Sequence, residues 1–70
     1  MIYCKITPSF VNVARYVKKK DTYTVYERIM ELTDNNHLEA ANAESWCELA
    51  CVGETYEGSC FTIEIIEDEE

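Results

Sequence analysis

The side chains in this sequence that most readily take part in catalysis or metal binding are those of four cysteines and one histidine. They are Cys4, Cys47, Cys51, Cys60 and His37. A cysteine nucleophile needs a histidine beside it and a further group that orients the ring. The spacing brings the histidine next to none of the thiols, so we interpret it as an ordinary surface residue.

The cysteines are open to three interpretations. An even number of cysteines in a short secreted chain favours disulfides. The N-terminal residues show no basic segment followed by an apolar run, so we expect a cytoplasmic protein with reduced, buried thiols. A zinc site is the third alternative, although Cys47 and Cys51 form a CxxxC pair and not the usual CxxC knuckle. We predict that the protein holds no metal and no other cofactor.

The remaining sequence lacks an enzyme's usual signatures. Gly53 and Gly58 are the only glycines, and neither belongs to a phosphate-binding loop. A chain of 70 residues has a thin core and little material for a walled active site. We therefore predict a protein that is not an enzyme and has no catalytic residues.

Charge is distributed very unevenly along the chain. Residues 1–28 contain six basic and two acidic residues, a net charge of +4, whereas residues 29–70 contain twelve acidic residues and no Lys or Arg, a net charge of −12. The whole chain therefore carries −8. The acidic part is either a solvated surface or a surface that attracts a basic partner, as a nucleic-acid backbone does. Direct binding of nucleic acid is disfavoured because it calls for a basic surface.

The acidic residues of the second half are our candidate partner-binding residues, together with one tyrosine that lies among them. A tyrosine beside carboxylates combines contact area with charge at an interface. The predicted binding residues are Glu39, Glu44, Glu48, Glu54, Tyr56, Glu57 and Glu64.

Two segments with alternating apolar residues must form strands, one at each end of the chain. We expect them to pair, with Lys5 opposite Glu64 on the outer face. The residues predicted to face the core are Ile2, Cys4, Ile6, Phe61, Ile63 and Ile65.

The segment after the first strand has the spacing of a helix. Thr7 and Pro8 fit a helix start, and Phe10, Val13, Ala14 and Val17 share one helical face. The run Lys18-Lys19-Lys20 then complements the helix dipole at the C-terminal end, or forms a basic contact patch.

Two further helical segments follow. Thr24 and Glu27 fit a capping box, which predicts a helix from Thr24 to Thr33 that ends in the turn 34–36. Residues 37–41 fit either a strand or the start of a helix.

From Asn42, a possible cap, an apolar stripe predicts a helix that stops at Gly53 and is followed by a loop at 54–59. The stripe consists of Ala43, Trp46, Leu49 and Ala50. We interpret Trp46 as a core anchor, with an interface residue as the alternative.

These elements predict an α+β fold with a small sheet that includes the N- and C-terminal strands and packs against two or three helices. A third strand at 37–41 or 55–57 would complete the sheet. Residues 1–66 form one domain, and residues 67–70 form an acidic C-terminal tail. No segment is apolar enough to span a membrane, and we expect no membrane partner.

The C-terminal third, from Ala43-Glu44-Ser45-Trp46 through Gly53-Glu54-Thr55-Tyr56 to Phe61-Thr62-Ile63-Glu64 and Ile66, resembles small uncharacterised accessory proteins of phages and conjugative elements of gut bacteria. The resemblance implies a mobile-element accessory protein. Some small acidic proteins of that origin inhibit host defence enzymes by imitating nucleic acid.

The sequence thus predicts a small acidic binding protein that inhibits or modulates a basic protein partner, such as a nucleic-acid enzyme. The alternatives are a self-associating structural or regulatory module, possible as a homodimer, and a zinc or thiol protein.

Overall fold

Two strands, two helices and two further strands follow one another in residues 1–68, the part of the chain that the computed structural model describes. The elements are β1 Ile2–Pro8, β2 Arg15–Lys18, α1 Thr22–Leu32, α2 His37–Leu49, β3 Thr55–Glu57 and β4 Phe61–Glu67. The α+β fold is therefore confirmed, with two helices and a strand near each end.

The four strands form one antiparallel sheet in the order β2-β1-β4-β3. The central pair, β1 and β4, runs from Ile2 opposite Glu67 to Pro8 opposite Phe61. This pairing confirms that the terminal strands are neighbours. Glu67, which the sequence assigned to the tail, belongs to β4, and residues 69–70 lie outside the described part.

Both helices pack on one face of the sheet. Every second strand residue and the inner helix residues form a single cluster because side chains alternate along a strand. The buried members are Cys4, Ile6, Val17, Val25, Ile29, Ala40, Ala43, Cys47, Ala50, Phe61, Ile63 and Ile65. Five of the six predicted core residues are buried, and Ile2 packs half-buried at the margin. Neither α1 nor α2 is long and apolar enough to cross a lipid bilayer.

The helix predicted from Thr7 onward is wrong. The chain continues β1, turns, and returns as β2. Phe10 and Val13 are 67% and 66% exposed, and of the predicted apolar face only Val17 is buried. β-Branched residues suit extended backbone, and pairing with β1 satisfies the strand's hydrogen bonds, so tertiary pairing outweighed a helical spacing that arose by chance.

The lysine run consequently lies elsewhere than predicted. Lys18 ends β2, and Lys19 and Lys20 lie in the turn that leads to α1. Lys19 Nζ donates a hydrogen bond of 3.1 Å to the carbonyl oxygen of Glu48. A lysine therefore complements a helix C-terminus, but the helix is α2.

Helix α1 begins two residues earlier than predicted. Asp21, and not Thr24, is the N-cap, and its carboxylate accepts hydrogen bonds from the backbone N–H and the hydroxyl of Thr24. The predicted turn follows the helix, with Asp34 and Asn35 at positive φ. These two residue types tolerate the left-handed region better than most.

Residues 37–41 are helical, so of the two interpretations of this segment the helix is correct and the strand is wrong. Asn36 caps α2, and its side chain accepts a 3.2 Å hydrogen bond from the backbone N–H of Glu39. Asn42 lies inside the helix and caps nothing. The helix ends at Leu49, and Gly53, with φ of +96°, turns the chain four residues later.

Two further predictions for this region need correction. Leu49 is 85% exposed and Cys47 is fully buried, so the inner face of α2 is rotated from the predicted stripe. The predicted loop 54–59 contains β3, which pairs with β4 at the sheet edge. The third strand is thus at Thr55–Glu57, one of the two positions considered.

Candidate functional site

Two of the thiols lie together in the core. Cys4 on β1 and Cys47 on α2 are both fully buried and share a hydrogen bond. This bond and the loss of solvation raise the pKa of Cys47 far above the ordinary thiol value. The same bond lowers the pKa of Cys4, but both thiols are closed to solvent and to reagents, so the pair contributes packing between the sheet and α2.

The other two thiols lie apart from this pair and from each other. Cys51 is exposed after α2, and Cys60 donates a 3.2 Å hydrogen bond to the carbonyl oxygen of Leu32. Within residues 1–68, no group of three or more His, Cys, Asp or Glu side chains is placed to hold a metal ion. The four thiols do not converge on a common site.

His37 joins the two helices. Its Nδ1 lies 2.9 Å from the Tyr26 hydroxyl, and the two rings are 6.5 Å apart. The histidine is exposed at the first position of α2. Its side-chain contact is with a tyrosine and not with a thiol. Its contact identifies the flank of α2 that faces α1.

The helical layer, residues 22–49, is acidic, as are residues 50–68, which contain five acidic residues and no Lys or Arg. Its single cation is Arg28, whose Nη1 donates a 3.0 Å hydrogen bond to Glu31 Oε1. The layer therefore has a net charge of −5 and no arginine or lysine apart from the one already bonded to a carboxylate. Its acidic residues are Glu27, Glu31, Asp34, Glu39, Glu44 and Glu48.

Two of the predicted binding residues lie together in this layer. Glu44 and Glu48 follow His37 at intervals of seven and eleven residues, which places all three on the α1-facing flank of α2. Glu48 is exposed and Glu44 is half-exposed. Both carboxylates are accessible to a partner that approaches the helices.

Glu27 and Glu31 on α1 were missed by the sequence analysis. They are exposed and four residues apart, outside the positions of the buried Val25 and Ile29. The sequence analysis treated Glu27 as a counter-charge within the basic part of the chain. The helical period of α1 is the sequence signal that would have predicted them, because it places both residues away from Val25 and Ile29. We call the exposed and half-exposed carboxylates on the solvent side of the two helices, Glu27, Glu31, Glu44 and Glu48, the acidic helical surface.

Two other predicted residues have structural hydrogen bonds. The Glu39 carboxylate accepts bonds of 2.8 Å from the Ser59 backbone N–H and 2.6 Å from its hydroxyl. It thereby ties the start of α2 to the β3–β4 hairpin. Glu54 accepts a 2.7 Å bond from the Cys51 N–H and closes the turn before β3.

The last three lie in the sheet. Glu57 and Glu64 point to the face away from the helices, since their neighbours Tyr56 and Ile63 point inward. Tyr56 packs between Trp46, at 5.4 Å between ring centroids, and Phe61, at 6.1 Å. The structure therefore distributes the seven predicted residues among the helical layer, structural hydrogen bonds and the outer face of the sheet, and it packs Tyr56 inward, away from a partner.

No protein-family model matches the chain, and neither the curated proteins nor the solved structures contain a match. The resemblance to mobile-element accessory proteins stays a prediction.

Proposed function

We propose that this protein is a non-enzymatic binding protein whose acidic helical surface docks on a basic surface of another protein. The observation that carries the proposal is the charge of the helical layer. Its only Arg or Lys is already bonded to Glu31, so the carboxylates of Glu27 and Glu44 have no cation of that layer to neutralise them, while Glu48 has Lys19 beside it, bonded to its backbone carbonyl and not to its carboxylate.

A charged surface of this kind attracts a partner over long range before the two proteins touch. Uncompensated charge of one sign steers an oppositely charged partner and raises the association rate, and salt screens the attraction over about 8–10 Å. Enzymes that bind nucleic acid carry basic surfaces that match phosphates. We therefore propose that the partner is an enzyme that binds nucleic acid. This protein would inhibit it by occupying the site where nucleic acid binds.

Affinity capture from a lysate at low and high ionic strength tests the proposal. The informative variant is Glu44→Gln/Glu48→Gln, which removes two charges from the acidic helical surface. The matched control is Glu57→Gln/Glu67→Gln, which removes two charges from the sheet. We expect a basic partner that is lost at high salt and with the first variant only. A partner retained equally by both variants, or at any salt concentration, would contradict the proposal.

A further inference from the structure

The outer face of the sheet has no layer packed on it within residues 1–68. Both helices cover the opposite face, so the side chains of alternate residues on all four strands reach solvent. The register arranges them in three rows across the strands. The first row is Lys18, Tyr3 and Ile66, the second is Tyr16, Lys5, Glu64 and Thr55, and the third is Thr7, Thr62 and Glu57.

Charge on this face changes sign from one half to the other. The β2–β1 half carries Lys18 and Lys5, whereas the β4–β3 half carries Glu64 and Glu57. The division follows from the strand order, because the basic N-terminal hairpin forms one side of the sheet and the acidic C-terminal hairpin forms the other. Such a face is complementary to itself after a half-turn.

We propose that a second copy of this chain packs on the outer face of the sheet, around a two-fold axis that runs parallel to the strands between β1 and β4. This operation lays β1 of one copy over β4 of the other, and β2 over β3. Stacked sheets lie about 10 Å apart and keep their strands within about 30° of parallel. The interface is isologous, as in most closed dimers.

The register makes the pairs across this interface specific. Each row meets the same row of the second copy, so Lys5 lies over Glu64, the larger apolar and aromatic side chains of the first row lie together, and Thr7 faces Thr62, whereas Lys18 and Glu57 lie in different rows and do not pair. The expected pairs are Lys5 with Glu64, Tyr3 with Ile66, Thr7 with Thr62 and Tyr16 with Thr55.

Lys5 and Glu64 flank the axis, as do the other outer-face residues of β1 and β4, and they are the oppositely charged pair among them. They are neighbours across β1 and β4 within one chain, yet the only ion pair within residues 1–68 is Arg28–Glu31. In the dimer each lysine has one glutamate beside it and another above it. The four charges alternate in sign around the axis. The second copy removes water from them, and this strengthens the attraction between opposite charges.

The size of the face predicts a weak dimer. Four strands about 4.8 Å apart and three rows about 7 Å apart give a face of roughly 20 Å by 20 Å. A standard stable interface buries about 800 Å² on each partner, which is more than a face of this extent supplies. We therefore expect association that depends on protein concentration and weakens with salt.

Charge-reversal variants test this inference. Analytical ultracentrifugation of a concentration series at low ionic strength measures how readily each variant dimerises. Lys5→Glu and Glu64→Lys each place like charges across the axis, whereas an equal mixture of the two variants restores opposite charges at both positions. Lys20→Glu and Glu27→Lys make the same changes in net charge away from the outer face. Thermal unfolding of every variant establishes that it is folded.

We expect the unaltered chain and both controls to dimerise as the concentration rises. Each variant alone should dissociate at least about tenfold more readily, because like charges across an interface oppose association strongly, and the mixture should form a heterodimer. A chain that stays monomeric at all concentrations, a variant that dimerises like the controls, or a mixture that stays monomeric would overturn the inference. A single-stranded oligonucleotide that binds the outer face of the monomer would also overturn it.

Discussion

Gly58 is the position where one added carbon should destabilise this protein most directly. It lies between β3 and β4, donates a 2.8 Å hydrogen bond from its backbone N–H to the carbonyl oxygen of Phe61, and is covered by the ring of that phenylalanine. A Cβ at residue 58 would overlap three atoms of the ring. The ring is 1% exposed and stacks on Tyr56, so it has no free space to enter.

The magnitude follows from overpacking. Forcing a side chain into a filled core costs about 1–3 kcal/mol, and we expect Gly58→Ala to fall at the upper end because the neighbouring group is a rigid, buried ring. In a domain of this size each kcal/mol lowers the melting temperature by roughly 4–8 °C. Urea and thermal unfolding measure both quantities.

Gly53→Ala is the matched comparison. Nothing lies within 4 Å of a Cβ at that position, but its φ of +96° is unfavourable for a residue with a side chain. Its cost should be about 1 kcal/mol and should come from backbone strain alone. Phe61→Leu, which makes room for the added carbon, should lessen the cost of Gly58→Ala while leaving that of Gly53→Ala unchanged. Additive effects at residues 58 and 61, or a neutral Gly58→Ala, would refute this reasoning.

Three further predictions concern the thiols and the helix start. In the native protein a thiol reagent should modify Cys51 fastest and all four cysteines only after unfolding, since Cys4 and Cys47 are fully buried; rapid loss of all four native thiols would contradict the structure. Stability should fall as the pH rises above the ordinary thiol pKa of 9.0, because the pKa of Cys47 is raised by its hydrogen bond to Cys4 and by burial, so that unfolding releases a proton there; the lowered pKa of Cys4 acts in the opposite direction, but the shift at Cys47 is the large one, and urea titrations should show a shallower alkaline decline in Cys47→Ala. Asn36→Ala should cost about 1 kcal/mol through loss of the α2 cap, whereas Asn42→Ala, at an exposed position inside α2 that caps nothing, controls for the change of residue type in the urea titration.

The parts of the fold that the sequence predicted correctly are those where local pattern and burial agree. Alternation at Cys4 and Ile6, and again at Ile63 and Ile65, reflects strands with one face in the core and one outside. Residues 9–17 were misread because their apolar spacing imitated a helix. Residues 15–18 pair with β1, and a spacing argument takes no account of a neighbouring strand.

The candidate site was harder to predict because charge along a chain does not specify charge on a surface. Glu44 and Glu48 were found together because the helical period links them. Glu39 and Glu54 resembled them in sequence, but Glu39 accepts a backbone hydrogen bond from Ser59, twenty residues away, and Glu54 accepts one from Cys51 within a local turn. Glu64 became the neighbour of Lys5 through a pairing of strands at opposite ends of the sequence.

The two proposed surfaces lie on opposite sides of the molecule, and this arrangement has a measurable consequence. If two copies join through the outer face of the sheet, the acidic helical surfaces of the pair point away from each other and can engage two partner molecules at once. Two linked binding events raise the apparent affinity without any new contact. On a surface densely coated with the partner, Lys5→Glu should therefore dissociate faster than the unaltered chain, and on a sparsely coated surface it should dissociate at the same rate. Glu44→Gln/Glu48→Gln should weaken binding at both densities, because it alters the contact itself. A Lys5→Glu effect that does not depend on density would mean that the outer face of the sheet contacts the partner directly.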